Sequence, residues 1–381
     1  MAEYLTNTTD LTKVADAIRA KSGTTAVLEY PDGFATAIGD IQTGTELSIV
    51  VTVTSGAVVT ATKGSTTVSG TSVNGVCTLV VPEAGTWSVK ATLGGQTSDT
   101  KSVSVVNSYA VAISFVSSTL NNNEWSVIKS VSDAGQGANY WSIGDRKAVT
   151  LNGTVGHLSL SNFTTYAFII GFNHNASVEG ENRIHFQLAK TALSGGTDVC
   201  FCDNQYAPDN EWSTSGAGYF VMTTTGGKSG GWKGSQMRTA ICGKSLLSYS
   251  GTIIAVIPAA LRAVLKSVTK YTDNFGYSDS EATYVTATTD YFFLLSEFEV
   301  FGSIVHGNPN EASKQAQYAY YSAGNSKIKY KHNGTSTAAR WWLRTPYAGN
   351  SSYFVRVDDE GTVSNGGTAN MSLGFAPGFC V

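Results

Sequence analysis

The sequence predicts a protein that is mainly β with some α, and three observations lead to this prediction. Charged residues make up only 14% of the chain while Gly contributes 40 residues, a balance that favours extended structure over helices. Stretches such as "ELSIVVTV" and "TWSVKATL" alternate apolar and polar residues, which is the period of a half-buried strand. Helical periodicity is scarce beyond the first 44 residues. The length of 381 residues predicts two or three domains.

Residues 1–44 are predicted to form a helical segment. The apolar residues of a first helix fall on one face, and those of a second, shorter helix do the same: Leu11, Val14, Ala15 and Ile18, then Phe34, Ile38 and Ile41. Two helices of this size cannot bury a core of their own. We therefore expect them to serve attachment or oligomerisation, packing against other copies or a larger assembly.

The period changes to two residues between 45 and 107, where turn signals such as Asn74-Gly75 separate short strands. This spacing predicts a small β-sandwich. Residues 108–381 are predicted to form one large block that is rich in aromatic residues and turns. One helix is expected in it, starting at Pro258 with Leu261, Val264, Leu265 and Val268 at helical spacing.

Charge and hydropathy exclude several classes of protein. The net charge is −3 with no Lys/Arg cluster, so no nucleic-acid binding is expected. No apolar run approaches 18 residues, which argues against membrane insertion. The N-terminus lacks a basic stretch followed by an apolar one, so we expect synthesis in a cytoplasm without export. The five cysteines are odd in number and scattered, which indicates reduced thiols rather than a disulfide framework.

The sequence contains no convincing catalytic motif. The five histidines stand outside zinc-binding patterns, so no metal or cofactor is predicted. Gly227-Lys228-Ser229 resembles the end of a P-loop but lacks the preceding glycine, and we interpret it as a chance match. Asp358, Asp359 and Glu360 precede a glycine, and we expect a solvated turn rather than a pair of facing carboxylates. We therefore predict that the protein is not an enzyme.

Seven segments of the large block occur in an order that resembles the DUF6273 family of bacterial prophages: "YWSIGDRKAVTLNG", "FIIGFNHN", "NRIHFQL", "GGWKGSQMR", "FFLLSEFEVFG", "WWLRTP" and "GFAPGFCV". The resemblance spans nearly all of residues 140–381. It implies an α+β domain with a C-type-lectin-like fold, related to the formylglycine-generating-enzyme branch. The cysteines do not match the copper site of that branch, and the calcium-binding motifs of sugar-binding lectins are missing. Neither activity is therefore expected.

Some relatives in that family are similar to the variable proteins of diversity-generating retroelements, in which adenines in the last codons of the gene are mutated. The substituted codons yield mainly Asn, Ser, Tyr, Asp, Gly and Thr, and these residues crowd positions 347–372. The resemblance implies a fixed scaffold around this segment: Trp341, Trp342, Arg344, Gly374, Phe375 and Pro377. A single sequence shows no variation, so diversification is a hypothesis at this point.

We expect from strand alternation that Phe354 and Val357 point inward and that a set of polar and tyrosine side chains in the segment faces outward. We predict ligand contacts from these outward residues: Tyr347, Asn350, Ser351, Tyr353, Arg356, Asp358, Asp359, Glu360, Thr362, Ser364 and Asn365. Tyr and small polar residues adapt to many partners at low entropic cost, as in antibody loops. The alternative is a terminal β-hairpin without a partner, because Gly, Asn and Ser are also ordinary turn residues.

The first two domains resemble parts of phage tail proteins. "PEAGTWSVKATLGGQTS" is similar to bacterial immunoglobulin-like spacers, and the N-terminal 44 residues resemble the leading segment of tail-associated proteins. These resemblances imply a homotrimeric receptor-binding adhesin in the virion, attached to the tail or baseplate through residues 1–44 and recognising a bacterial surface protein or glycan. The alternatives are a structural tail or decoration protein, and a glycan or cell-wall hydrolase.

Overall fold

The structure is a computed structural model that describes residues 8–22, 25–39, 46–94, 96–207 and 214–381. The chain divides into two compact units, Met1–Phe115 and Val116–Val381. Strands outnumber helices in each of the two units, which confirms the expectation of a mainly β protein with some α. None of the described helices is long and apolar enough to cross a membrane.

Two helices open the first unit, α1 (Thr8–Ser22) and α2 (Asp32–Gly39). Ala15 and Ile18 of α1 and Phe34 and Ala37 of α2 form a small buried cluster, with Leu11 packed against it. Val14 and Ile38, which we expected on the packing faces, are 49% and 54% exposed, and Ile41 lies outside the described residues. The two helices thus bury only a small contact between them and leave the apolar side chains of Val14 and Ile38 exposed.

The rest of the first unit is a β-sandwich whose two sheets share one core. Ile49, Val51, Trp87 and Val89 are fully buried between them. The eight strands are β1 (Ser48–Thr52), β2 (Val58–Lys63), β3 (Thr66–Thr71), β4 (Val76–Val80), β5 (Gly85–Leu93), β6 (Gln96–Thr97), β7 (Lys101–Val105) and β8 (Ser108–Ala112). One sheet has the order β4-β1-β8, and the other has β3-β2-β5-β6 with β7 also on β5.

The sandwich extends past residue 107, where we expected it to end. Strand β8 pairs in parallel with β1, with Ser48 opposite Ser108 and Thr52 opposite Ala112. Ile113 is 4% exposed and belongs to the sandwich core. The boundary therefore lies at Phe115 and not at residue 107. Strand β8 supplies hydrogen-bond partners for the backbone of β1 on the side that β4 does not cover.

The described residues of the second unit form four sheets. Its strands are β9 (Arg146–Val155), β10 (Leu158–Phe172), β11 (Ile184–Lys190), β12 (Val199–Cys200), β13 (Val268–Asp273), β14 (Val285–Asp290), β15 (Phe292–Phe293), β16 (Lys329–Lys331), β17 (Gly334–Ala339), β18 (Trp341–Pro346), β19 (Tyr353–Val357), β20 (Val363–Thr368) and β21 (Gly378–Cys380). The sheet orders are β15-β21-β11-β10-β9, β12-β16-β17, β13-β14 and β18-β19-β20.

The last strand of the sequence, β21, is an inner strand of the largest sheet. It pairs with β11 on one side and β15 on the other, so that Phe379 lies opposite both Phe186 and Phe292. Phe379 stacks on Phe186 with ring centroids 5.2 Å apart, and Val381 is fully buried. Residues at the end of the chain thus complete a core that residues near position 186 begin.

The helices of the second unit are short. They are α3 (Trp125–Asp133), α4 (Gly137–Tyr140), α5 (Ala176–Glu179), α6 (Gly231–Gly234), α7 (Ile253–Val256), α8 (Ala259–Arg262), α9 (Glu297–Phe301) and α10 (Ala319–Ser322). A π-helical turn covers Met237–Cys242. Three 3₁₀ segments cover Leu120–Asn122, Ala282–Tyr284 and Pro309–Lys314.

The helix expected from Pro258 to Val268 is wrong beyond its first turn. Helix α8 ends at Arg262, and Val268 already begins strand β13. The backbone N–H of Lys266 donates to the carbonyl of Cys380 at 2.9 Å, which draws the chain out of the helix towards β21. The apolar residues do have helical spacing, but pairing with distant parts of the chain overrides this local preference.

Candidate functional site

The sheet β18-β19-β20 carries the segment that we predicted to bind a ligand. A loop of residues 347–352 joins β18 to β19, and a turn of residues 358–362 joins β19 to β20. Because the three strands are antiparallel, the loop and the turn lie at opposite ends of β19. The five residues of β19 separate them by roughly 15 Å. The predicted contact residues therefore divide into two groups that no single small ligand touches.

The first group consists of Tyr347, Asn350, Ser351 and Tyr353 at the loop end. The rings of Tyr347 and Tyr353 are nearly parallel, with centroids 6.4 Å apart. The side chain of Asn350 accepts a hydrogen bond from the N–H of Ser352 at 2.7 Å, which closes the loop on itself. Ser351 is exposed, and the other three residues are partly exposed.

The second group lies in the turn after β19 and is largely engaged with itself. The Asp358 carboxylate accepts the N–H groups of Glu360 at 3.1 Å and Thr362 at 2.8 Å, and the Thr362 hydroxyl at 2.6 Å. Asp359 pairs with Arg340 at 3.2 Å. These carboxylates hold a polar turn together and do not face one another across a cleft, as two-carboxylate hydrolysis requires.

The prediction that Arg356 faces outward is wrong. Its side chain is only 4% exposed, like those of its neighbours on β19, and lies beside Gly366. Residues 354–357 are all buried, so both faces of β19 are covered here and neither face carries an outward side chain. Ser364 and Asn365 remain partly exposed on β20.

The six predicted scaffold residues are all buried: Trp341, Trp342, Arg344, Gly374, Phe375 and Pro377. The indole N–H of Trp341 donates to the carbonyl of Lys327 and that of Trp342 to the carbonyl of Phe220, each at 3.0 Å. Each large ring therefore fills the core while its polar atom is satisfied. The exposed loop end stands on a base with little freedom to move.

A buried lysine, which sequence reasoning set aside, organises the loop end. Lys228 is 1% exposed, and its ammonium group donates to the carbonyls of Tyr277, at 2.5 Å, and Tyr347. Its backbone N–H donates to the carbonyl of Ser351 at 3.0 Å. Gly276, at φ +71°, lies so close to the Lys228 carbonyl that no side chain fits there. Lys228 thus connects three loops.

Burial lowers the pKa of Lys228 to about 8, against the opposing effect of the nearby Asp273 and Asp279 carboxylates. The group is therefore still charged at neutral pH and keeps both carbonyl contacts. The run Gly227-Lys228-Ser229, which we interpreted as a chance P-loop match, does not predict this burial, because both carbonyls come from remote loops.

Three aromatic residues lie on the segment 275–284, whose Tyr277 carbonyl Lys228 binds. Phe275 is 42% exposed and Tyr277 is 51% exposed, while Tyr284 stacks on Phe275 with centroids 4.9 Å apart. An exposed aromatic cluster of this kind is typical of an interaction site. We call the combined set the tip surface: Phe275, Tyr277, Tyr284, Tyr347, Asn350, Ser351 and Tyr353.

A second cluster has donor atoms suited to a metal ion but holds a lysine instead. The ligand atoms of His174, Glu179 and Glu299 lie within 4.8 Å of one another. The Lys270 ammonium lies 2.6 Å from the Glu179 carboxylate and 2.8 Å from that of Glu299. Arg344 also pairs with Glu299, at 2.9 Å for one of its two hydrogen bonds. Two cations pair with the two carboxylates, so these side chains form a buried ion-pair network.

The pKa shifts in this network follow from burial and shared charge. Burial raises the pKa of Glu179 to about 7, although Lys270 opposes the shift. Burial acts in the same direction on Glu299, but Arg344 and Lys270 together hold the pKa of Glu299 well below its usual range. Burial, with Lys270, lowers the pKa of His174 to about 3, so this ring is neutral and stacks on Tyr318 at 3.7 Å.

The cysteines are buried thiols. All five are free and buried. Burial raises the pKa of Cys77, Cys202 and Cys242, and that of Cys380 to about 12, which opposes thiolate formation.

Residues 223–381 match the model of the family described as "Domain of unknown function (DUF6273)". No curated protein has a sequence that matches this chain. The matched segment includes the whole tip surface, Lys228, Lys270, Glu299 and Arg344. It is not a complete folding unit, because its last strand β21 pairs with β11, which lies before the matched segment.

Replacing Arg344 with Lys is expected to destabilise the protein by about 3 kcal/mol, since a lysine cannot reproduce the two-pronged contact with Glu299 and leaves part of a buried charge unpaired. Urea unfolding followed by tryptophan fluorescence measures this. The matched control is Arg340→Lys, at a partly exposed ion pair, with a change within about 1 kcal/mol. Equal unfolding midpoints for the two variants would contradict the assigned role of Arg344.

Replacing Lys228 with Met keeps the apolar stem but removes the donor that joins the carbonyls of Tyr277 and Tyr347. We expect faster amide hydrogen exchange in residues 274–284 and 347–353, measured by mass spectrometry, because both loops lose a shared anchor. Lys233→Met, at an exposed position nearby, serves as the control and should leave exchange unchanged. Unaltered exchange in both variants would show that Lys228 does not organise the tip surface.

Proposed function

We propose that the unit Val116–Val381 binds a ligand on the bacterial cell surface through the tip surface, and that the protein is a receptor-binding adhesin associated with a phage or prophage tail. One observation carries the proposal: exposed aromatic and small polar side chains stand on loops that a buried frame holds in place. In this proposal the protein binds its ligand without catalysing a reaction.

The loops are held from below by contacts that need no ligand. Lys228 anchors the loops of Tyr277 and Tyr347, while the N–H of Ala348 donates to the carbonyl of His306 at 2.9 Å. Loops that are already ordered lose little conformational entropy on binding, which favours affinity. Tyr residues at such positions supply contact area with few rotatable bonds.

The finer parts of the proposal rest on the resemblances in the sequence. We propose a C-type-lectin-like fold for the large unit and an immunoglobulin-like spacer for the sandwich. We propose further that residues 1–44 attach the chain, as a homotrimer, to a tail or baseplate. The exposed apolar side chains of Val14 and Ile38 support this last step, because a helix pair with uncovered apolar surface is suited to packing against further chains.

Ser351→Arg is expected to reduce binding of the full-length protein to bacterial cells at least tenfold, about 1.4 kcal/mol, since it places a bulky charge in the middle of the tip surface. Flow cytometry with fluorescently labelled protein and a panel of bacterial isolates measures this. The matched control is Glu360→Arg, an equally large side chain in the turn at the other end of β19, which should bind as the wild type does.

Three outcomes contradict the proposal. Loss of binding in Glu360→Arg alone would move the binding face to the 358–362 turn. Unchanged binding in both variants would exclude the tip surface. No binding of the wild type to any isolate would exclude the adhesin function itself.

Diversification by a retroelement predicts a specific pattern among sibling genes. Differences should concentrate at adenine positions in codons 344–373, and at codons whose side chains are exposed, such as Asn350 and Ser351. The buried positions Phe354, Val355 and Val357 should stay constant, because changes there would leave cavities or overpack the core. Sequencing the 3′ end of the gene and its flanks in many isolates tests this. A segment as constant as the rest of the gene would exclude retroelement targeting.

A further inference from the structure

A groove of about 350 Å³ is lined in part by the two neighbours of Lys228, the lysine that holds the tip loops. Its lining includes the polar side chains of Thr223, Thr224, Thr225, Ser229, Gln236 and Thr239. Residues 227 and 229 line the groove, whereas Lys228 between them points to the carbonyls of Tyr277 and Tyr347. The volume lies at the lower end of the range for small-molecule sites, roughly 300–1,000 Å³.

The groove has a fixed wall and a set of open hydroxyl groups. The Thr223 hydroxyl donates to the carbonyl of Gly227 at 2.6 Å, and the Gln236 amide donates to the carbonyl of Tyr219 at 3.0 Å. Within the described ranges, the hydroxyls of Thr224, Thr225 and Ser229 have no hydrogen-bond partner. Each of these hydroxyls can both donate and accept a hydrogen bond.

The side chains that line the groove offer no charge to an ionic ligand. No Asp, Glu, Lys, Arg or His side chain is among the described residues that line it. Of the three cationic side chains on the adjacent backbone, Lys228 binds carbonyls, Arg238 pairs with the Asp290 carboxylate at 2.6 Å, and Lys233 is exposed and does not line the groove. A phosphate or carboxylate would therefore find no counter-charge among the lining side chains.

We infer that this groove binds a neutral saccharide. A sugar ring presents several hydroxyls that each donate and accept, which complements the open Thr and Ser hydroxyls, and it carries no charge to be balanced. The inference rests on the proposed function, since it names a neutral glycan as the surface ligand of the adhesin. Recognition of a surface protein is the competing outcome of the test.

The test compares the full-length wild type with a Thr224→Val/Thr225→Val double variant, which removes two hydroxyls and keeps the side-chain shape. The control is Thr337→Val, at an exposed threonine on β17 outside the groove. Saturation-transfer NMR is recorded with glucose, galactose, N-acetylglucosamine and rhamnose, and with glucuronic acid as a charged comparison. We expect at least one neutral sugar to bind, with about tenfold weaker affinity in the double variant and unchanged affinity in the control.

The inference is overturned if no neutral sugar gives a signal, if the double variant binds as the wild type does, or if glucuronic acid binds as well as its neutral counterpart. The cell-binding assay separates this failure from failure of the adhesin proposal. Cell binding could be lost in Ser351→Arg but retained in the double variant, and free sugars could leave it unchanged. That result supports an adhesin for a protein ligand and overturns the saccharide assignment. Absence of cell binding by the wild type overturns the adhesin proposal itself.

Discussion

The Glu299 carboxylate is the point on which the second unit depends. It is fully buried and takes hydrogen bonds from the Arg344 guanidinium, the Lys270 ammonium and the backbone N–H of Ser296. Arg344 belongs to β18, Lys270 to β13 and Glu299 to α9, so one carboxylate joins two sheets and a helix. Removing any partner would leave a buried charge unpaired, at a cost of about 3–5 kcal/mol. The packing of side chains in this region can therefore change only if Glu299 stays in contact with Arg344 and Lys270.

The same short helix also positions the loop end. The Glu297 carboxylate, two residues before Glu299, accepts the N–H groups of Val305, at 2.7 Å, and Gly307, at 2.8 Å. The backbone N–H of Glu297 donates to the hydroxyl of Thr345 at 3.0 Å. Thr345 directly follows Arg344 in β18. The loop fixed in this way includes His306, whose carbonyl receives the N–H of Ala348. One helical turn thus connects the ion-pair network to the tip surface.

The sequence predicted those features that local patterns determine. Alternation identified the strands of the sandwich, and the large aromatic residues around "WWLRTP" are buried as a scaffold requires. Features that depend on distant pairing were missed. Arg356 is buried because both faces of β19 are covered, and Cys380 drew Lys266 out of the expected helix. Lys228 was missed because a lysine is usually exposed, and its burial is explained only by carbonyls from two remote loops.

The contacts that hold the tip loops act mainly on the backbone. Lys228 binds the carbonyl of Tyr347 through its side chain and that of Ser351 through its N–H, and the N–H of Ala348 finds the carbonyl of His306. The side chain of Asn350 is the exception, since it closes the loop by accepting the N–H of Ser352. Backbone anchoring leaves the exposed side chains free to change without loss of the loop conformation. A surface that recognises different ligands on one fold requires this property, because each substitution must alter contacts without altering the support beneath them.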